Sequence, residues 1–121
     1  MDDESTLEID KFGTKIWRNK EGYLHRLDGP AVEYNDGGKI WYKNGKKHRL
    51  DGPVVELGNG YKEWWQNDLY HRVDGPALIA RSGVKAWYLN GYMFKNKQDF
   101  FESLSEEDKK TALFSIDFLS N

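Results

Sequence analysis

Along most of this chain, short runs of β-branched and aromatic residues alternate with polar ones and end in turn residues, a pattern that predicts strands. Asn44-Gly45 lies between two such runs. Asn-Gly is the strongest two-residue hairpin signal, because both turn positions need a positive φ. A two-residue loop there fixes the pairing by arithmetic: Lys43 with Lys46, Tyr42 with Lys47, Trp41 with His48, Ile40 with Arg49, and Lys39 with Leu50. Around Asn67-Asp68 the same scheme sets Trp65 opposite Tyr70, Trp64 opposite His71, Glu63 opposite Arg72 as a cross-strand charge pair, and Lys62 opposite Val73. Around Asn90-Gly91 it sets Trp87 opposite Phe94. Lys20-Glu21-Gly22 is one residue longer and suits a three-residue loop with a left-handed Gly, which keeps Trp17 opposite His25.

These hairpins are copies of one unit. Gly-x-Lys-x-Trp occurs four times, at 13–17, 37–41, 60–64 and 83–87, and His-Arg-x-Asp-Gly-Pro three times, at 25–30, 48–53 and 71–76. Successive tryptophans of the pattern are 24, 23 and 23 residues apart. A fixed period of this length signals a repeat array. After each Asp-Gly-Pro comes another strand-like run, at 31–34, 54–57 and 77–80, and a Gly-bearing turn leads back to the next Lys-x-Trp. Asp-Gly-Pro should kink the chain, since Pro has no N–H to give a ladder. A bulge within one long strand and a true corner both fit. Leu7-Glu8-Ile9 aligns with Ala31-Val32-Glu33, so the array opens on half a repeat.

The alternation stops at Asn96, which can cap a short helix carrying Phe100, Phe101 and Leu104. Ser105-Glu106-Glu107-Asp108 resembles a capping box opening a second helix, with Ala112, Leu113, Ile116 and Leu119 at helical spacing and Phe114 and Phe118 alongside. Repeat arrays need terminal caps, and these helices should cover the last hairpin and part of one sheet face. The expected fold is mainly β: an elongated, twisted antiparallel meander of about 23-residue hairpin repeats. Residues 1–121 form a single domain, with the array at 7–95 and the helical cap at 96–121.

Composition narrows the function classes. Only 38% of the residues are hydrophobic but 15% are aromatic, so a few large rings must supply much of the burial. Eighteen basic and 20 acidic residues leave a net charge of −2, which gives no pull toward long nucleic acid or an anionic membrane. There is no cysteine to staple the fold. The acidic start at residues 1–5 has no apolar stretch of the signal-peptide kind, and no run approaches membrane-spanning length; a cytoplasmic protein is expected.

Trp-x-x-Asn-Gly-x-x-His-Arg-x-Asp-Gly-Pro resembles the MORN-type hairpin repeats, and more closely the bacterial and phage proteins built on this motif followed by Ala. It is matched at Trp41, Asn44, Gly45, His48, Arg49, Asp51, Gly52 and Pro53. It is matched again at Trp64, Asn67, His71, Arg72, Asp74, Gly75, Pro76 and Ala77, with Asp68 in place of Gly. The resemblance covers about residues 7–95 and implies a twisted sheet with a binding or scaffolding role. For a phage-encoded member it implies an inhibitor of a bacterial host or defence protein, acting in the host cytoplasm.

The candidate chemistry points the same way. One His per repeat recurs about 10 Å apart with two strands per repeat, too far for three to share a metal ion. His-Arg-x-Asp could be drawn as a base with an orienting carboxylate, but an enzyme needs one asymmetric constellation and this triplet occurs three times. Neither catalytic residues, a metal nor a cofactor is therefore expected. Residues that recur are explained by the repeat, and those that vary are better candidates for contact with a partner. The variable face carries Tyr42, Trp65 and Tyr88, with Tyr70, Arg49 and Arg72 across from or beside them. Trp, Tyr and Arg dominate binding hot spots. The competing role for these rings is burial under the C-terminal helices. A non-enzymatic protein-binding module is expected, with a small anionic nucleotide stacked on rings and cations as the alternative. The edge strand at 7–9 could pair with a second copy of the chain, giving a homo-oligomer.

Overall fold

The computed structural model describes residues 4–120. Met1, Asp2 and Asp3 of the acidic start and Asn121 at the end of the expected cap lie outside the described residues. The first repeat holds β1 (Thr6–Ile9), β2 (Lys15–Arg18) and β3 (Val32–Glu33). The second holds β4 (Lys39–Ile40), β5 (Tyr42–Lys43), β6 (Lys46–Lys47) and β7 (Val55–Glu56). The third holds β8 (Lys62–Glu63), β9 (Trp65–Gln66), β10 (Leu69–Tyr70) and β11 (Leu78–Ile79). β12 (Lys85–Leu89) and β13 (Tyr92–Phe94) close the array, and α1 (Lys97–Glu102), α2 (Glu106–Leu113) and α3 (Ile116–Leu119) follow. Nine strands form one antiparallel sheet in the order β1-β2-β3-β4-β7-β8-β11-β12-β13, an unclosed meander. The missing pairs, β5–β6 and β9–β10, are separate two-stranded ribbons. The fold is thus mainly β with a helical C-terminus, as the sequence predicts.

Turn chemistry sets the registers. Asn44, Asn67 and Asn90 have φ of 51°, 54° and 49°, and each is followed by a second positive φ. The expected pairs Tyr42–Lys47, Trp65–Tyr70 and Trp87–Phe94 form. His25, His48 and His71 each donate a backbone N–H to the carbonyl of Trp17, Trp41 and Trp64. The Gly of each Gly-x-Lys-x-Trp has φ between 86° and 96°, the left-handed corner of a three-residue loop. In β1, Leu7 and Glu8 face Trp17 and Ile16, so β1 is the expected half repeat.

Beyond the tryptophans the expected register fails. Ile40 does not face Arg49, nor Lys39 Leu50; Ile40 pairs with Val32 and Val55, and Lys39 with Glu33 and Glu56. Glu63 does not face Arg72, nor Lys62 Val73; Glu63 pairs with Val55 and Leu78, and Lys62 with Glu56 and Ile79. The reason lies at each Trp, where the strand changes partner. The carbonyl of Trp41 accepts from His48 at 3.2 Å, while its N–H donates to Val54 at 2.8 Å. The five residues between, 49–53, are expelled as a loop, so Asp-Gly-Pro is a corner.

One arginine holds each corner. The guanidinium carbon of Arg26, Arg49 and Arg72 lies 3.8, 3.6 and 3.8 Å from the ring centroid of Trp17, Trp41 and Trp64. Nη1 of each donates to the carbonyl of Pro30, Pro53 or Pro76 at 3.2, 2.9 and 3.2 Å. Nε of each pairs with the Asp two residues on, at 3.1, 3.4 and 2.9 Å. The other side of the guanidinium lies against Gly29, Gly52 or Gly75, where a Cβ would come within 2.8, 2.8 and 2.6 Å of Cζ. Trp–Arg stacking is what the recurring His-Arg-x-Asp of each repeat builds.

Trp87 has no fourth His-Arg-x-Asp-Gly-Pro, and the helices take its place. Trp87, Phe100, Leu104, Ala112 and Phe118 form a buried cluster, with Phe94 and Phe101 packed on it. Asn96 and Ser105 cap α1 and α2 as expected, accepting from the N–H of Asp99 and Asp108. The second helix breaks at Phe114, and Ser115 caps α3. That break re-aims the chain. Ala112 and Phe118 are buried, but Leu113, Phe114, Ile116 and Leu119 of the expected apolar face are exposed. No helix among the described residues is long and apolar enough to cross a membrane.

The corner generates a test. Gly75→Ala places a methyl against a guanidinium that Trp64, Asp74 and Asp117 prevent from yielding. It should cost about 1–3 kcal/mol in urea unfolding, the usual penalty of overpacking. In an Arg72→Ala background the same substitution should cost much less.

Candidate functional site

The ribbons carry the variable rings. In β5–β6, Tyr42 faces Lys47. Nζ of Lys47 lies 4.7 Å from the centroid of Trp65, on β9. Trp65 and Tyr70 meet at 4.7 Å, and Tyr70 stacks on Tyr88 of β12 at 4.8 Å and 25°. Tyr42, Lys47, Trp65, Tyr70 and Tyr88 thus form one row across three hairpins, and all are half-buried. Alternation along β12 puts Tyr88 opposite Trp87 and Leu89, which face the cap. The row therefore lies away from the helical cluster.

A buried carboxylate anchors the row. Glu63 is 7% exposed. It accepts from Trp65 Nε1 at 2.7 Å, from Lys47 Nζ at 3.4 Å, and from the Tyr61 hydroxyl. Burial first, and then the hydrogen bond to Glu63, holds the Tyr61 phenol well above the ordinary tyrosine range. Burial and the Glu63 charge also push Tyr70 up. Glu63 is thus the hub of a polar network and not a surface partner of Arg72. Lys47 and Glu63 also line a hollow of about 440 Å³ with Ile40, Val55 and Leu57.

Arg49 and Arg72 stand apart from this row. Each is committed to its corner, and Arg72 also donates to Asp117 of α3 at 2.6 Å. Both line a cleft of about 870 Å³ between the second and third hairpins, with Lys47, His48, Trp64 and Trp65. Asp51, Asp74, Asp108 and Asp117 line it as well, so cations and anions are balanced. His71, also at this cleft, accepts at Nδ1 from the Asn90 N–H at 2.9 Å. Burial lowers its pKa, opposed by the charge of Asp108.

Sequence reasoning named Tyr42, Trp65, Tyr70 and Tyr88, and the structure joins the last three directly and Tyr42 through Lys47. It missed Lys47 and Glu63. The signal for Glu63 was available: its equivalents are Ile16, Ile40 and Ala86, so a lone carboxylate stands in an apolar column. No family model, curated protein or solved structure matches this chain.

Two tests follow from the network. Glu63→Ala strands the Trp65 and Tyr61 donors and should destabilise the protein by about 1–3 kcal/mol in a urea melt. For His71, the lowered pKa means that folding disfavours the proton. Its contribution is fully present above the unfolded value and is lost as pH falls through the lower folded value. The melting temperature of wild type should thus fall more steeply from pH 7 to pH 5 than that of His71→Asn, whose Oδ1 keeps an acceptor but cannot titrate.

Proposed function

We propose that this chain is a non-enzymatic protein-binding repeat module and that the aromatic row is its contact surface. The observation that carries this reading is the row itself: half-buried rings, three of them in contact and anchored by a buried carboxylate, at positions the repeat does not require to be rings. The first repeat places Arg18 at the site of Tyr42, Trp65 and Tyr88. Rings already held in place lose little freedom when a partner covers them, and Trp and Tyr are the residues that most often carry binding energy. The His-Arg-x-Asp triplet is taken up by the corners, which supports a scaffold role over a catalytic one. The resemblance to phage repeats makes a bacterial host or defence protein in the cytoplasm the first partner class to test.

Lys47 over Trp65 is the one feature that favours a small anionic nucleotide. The carboxylate of Glu63 at 3.4 Å neutralises that lysine, and the balanced charge of the cleft adds no surplus cation. The protein-binding reading is therefore preferred.

The experiment is capture from a bacterial lysate on immobilised wild type and Tyr42→Ala, read by quantitative mass spectrometry. Among the described residues the Tyr42 side chain makes no hydrogen bond or ring contact, so its loss should leave the melting temperature near wild type. Retention of the partner should fall about tenfold or more, the cost of one hot-spot side chain. Equal retention by Tyr42→Ala would move the contact surface elsewhere. A wild type that retains only a small ligand, seen by native mass spectrometry, would replace the reading with the nucleotide one.

A further inference from the structure

Among the described residues, adjacent hairpin tips are joined by main-chain N–H hydrogen bonds except at one junction. Between the first and second tips, the Arg26 N–H donates to Tyr42 O at 3.2 Å and the Gly45 N–H to Leu24 O at 2.8 Å. The Asn44 N–H donates to His25 Nδ1 at 3.0 Å. Between the third and fourth, the Arg72 N–H donates to Tyr88 O at 3.3 Å and the Gly91 N–H to Tyr70 O at 2.8 Å. The Asn90 N–H donates to His71 Nδ1 at 2.9 Å. Between the second and third tips the equivalent donors are the N–H groups of Arg49, Asp68 and Asn67, and the equivalent acceptors are Trp65 O, Lys47 O and His48 Nδ1. Among the described residues, none of these three bonds forms.

The second turn residue differs at this junction. A Cβ on Gly45 would come 3.2 Å from Cδ1 of Tyr23, and one on Gly91 3.2 Å from Cδ2 of Leu69. The tips close over a glycine. At the third tip that glycine is Asp68, which has a Cβ and meets Lys46, the equivalent of Tyr23 and Leu69, through an ion pair of 3.7 Å. The tips part here, and the cleft of about 870 Å³ lies between them.

At the parted tips the edge groups of two ribbons lack the partners that their equivalents have at the other junctions. Lys47 O and Arg49 N–H on one side, and Trp65 O and Asp68 N–H on the other, are the groups that a paired strand would satisfy. The charges around them are already matched: Lys47 by Glu63, Arg49 by Asp51, and Arg72 by Asp74 and Asp117. What the cleft offers in surplus is main-chain hydrogen bonding, not charge. We propose that this slit takes an extended main-chain segment of a bound protein, which replaces the bonds that a neighbouring tip supplies at the other two junctions. The proposal rests on the protein-binding reading and adds where the partner docks and in what conformation.

The experiment begins with amide hydrogen exchange on the free protein. Arg49 and Asp68 should exchange at least about tenfold faster than Arg26, Gly45, Arg72 and Gly91, because only the latter are bonded between tips. Protection of Arg49 and Asp68 in the free wild type would overturn the proposal at once. A phage-displayed library of random linear peptides is then panned on wild type, Asp68→Gly and Asp68→Asn, with protected Arg26 and Gly91 amides certifying that each variant is folded. Wild type and Asp68→Asn, which keeps the Cβ, should select peptides whose binding slows exchange at Arg49 and Asp68. Asp68→Gly should close the slit, protect amides 49 and 68 without ligand, and bind those peptides at least about tenfold more weakly. Failure to select any peptide, equal binding by Asp68→Gly, or protection confined to other amides would each sink the idea. The two readings separate cleanly: a lysate protein retained equally by Asp68→Gly removes the slit and leaves the aromatic row. Peptides that fill the slit while the lysate yields nothing do the reverse.

Discussion

Everything in this fold depends on a guanidinium held between an indole and a glycine. At Trp17, Trp41 and Trp64 the strand gives its carbonyl to one neighbour and its N–H to another, and five residues must leave the sheet and return. Such a loop would otherwise be an unsupported excursion of polar backbone. Arg26, Arg49 and Arg72 support it with one flat side chain that stacks on the ring, binds the Pro carbonyl and pairs with the Asp. Glycine is needed because the guanidinium occupies the space where a Cβ would stand. Lysine could not do this, since it lacks the planar fork. The fourth Trp has no such loop, and Trp87 is instead covered by Phe100 and Phe118. The helical cap is in this sense a substitute corner.

Because the repeated residues are used up in the corners, variation is free to appear on the ribbons. Position by position, Arg18, Tyr42, Trp65 and Tyr88 are equivalent, as are Ile16, Ile40, Glu63 and Ala86. The departures concentrate in the third hairpin. It holds the only Trp outside the repeated position, a buried carboxylate in an otherwise apolar column, and, among the described residues, the only left-handed Asn whose successor is not Gly. These three departures are spatially linked through Lys47 and its neighbour Lys46: Lys47 reaches Trp65 and Glu63, and Lys46 reaches Asp68.

The parts of the fold legible in the sequence were those fixed by local rules. A two-residue loop leaves one register, so Tyr42–Lys47 and Trp65–Tyr70 followed from Asn44-Gly45 and Asn67-Asp68. The corner was not legible, because a Pro-kinked chain can re-enter a sheet on either side and no spacing rule says which strand it will meet. The corner role of Arg49 and Arg72 was hidden for the same reason: with no corner in view, a cationic side chain beside a ring reads only as a contact for a partner. The helix break at Phe114 escaped because Ser115 was read within one long apolar periodicity, although a serine can open a new helix as readily as sit in an old one. The row was half legible. Its rings stood out by type, but its anchor Glu63 was discounted as surface charge.

These features divide between the corners, which hold the sheet, and the row, which lies on the ribbons. A corner residue serves the hydrogen bonding of the whole sheet, because each Trp joins two strands to a third segment. A row residue such as Tyr42 touches only its own ribbon and its neighbour. Loss of the first propagates along the meander, as in any array whose units depend on their neighbours; loss of the second stays local. Glu63 is the exception that joins the two. It sits on β8, inside the main sheet between Val55 and Leu78, yet its carboxylate fixes Lys47 and Trp65 on the ribbons. A buried charge in a sheet is costly unless fully satisfied, and here three donors satisfy it. Such an arrangement orients a surface through a rigid strand, so the row inherits the order of the sheet beneath it.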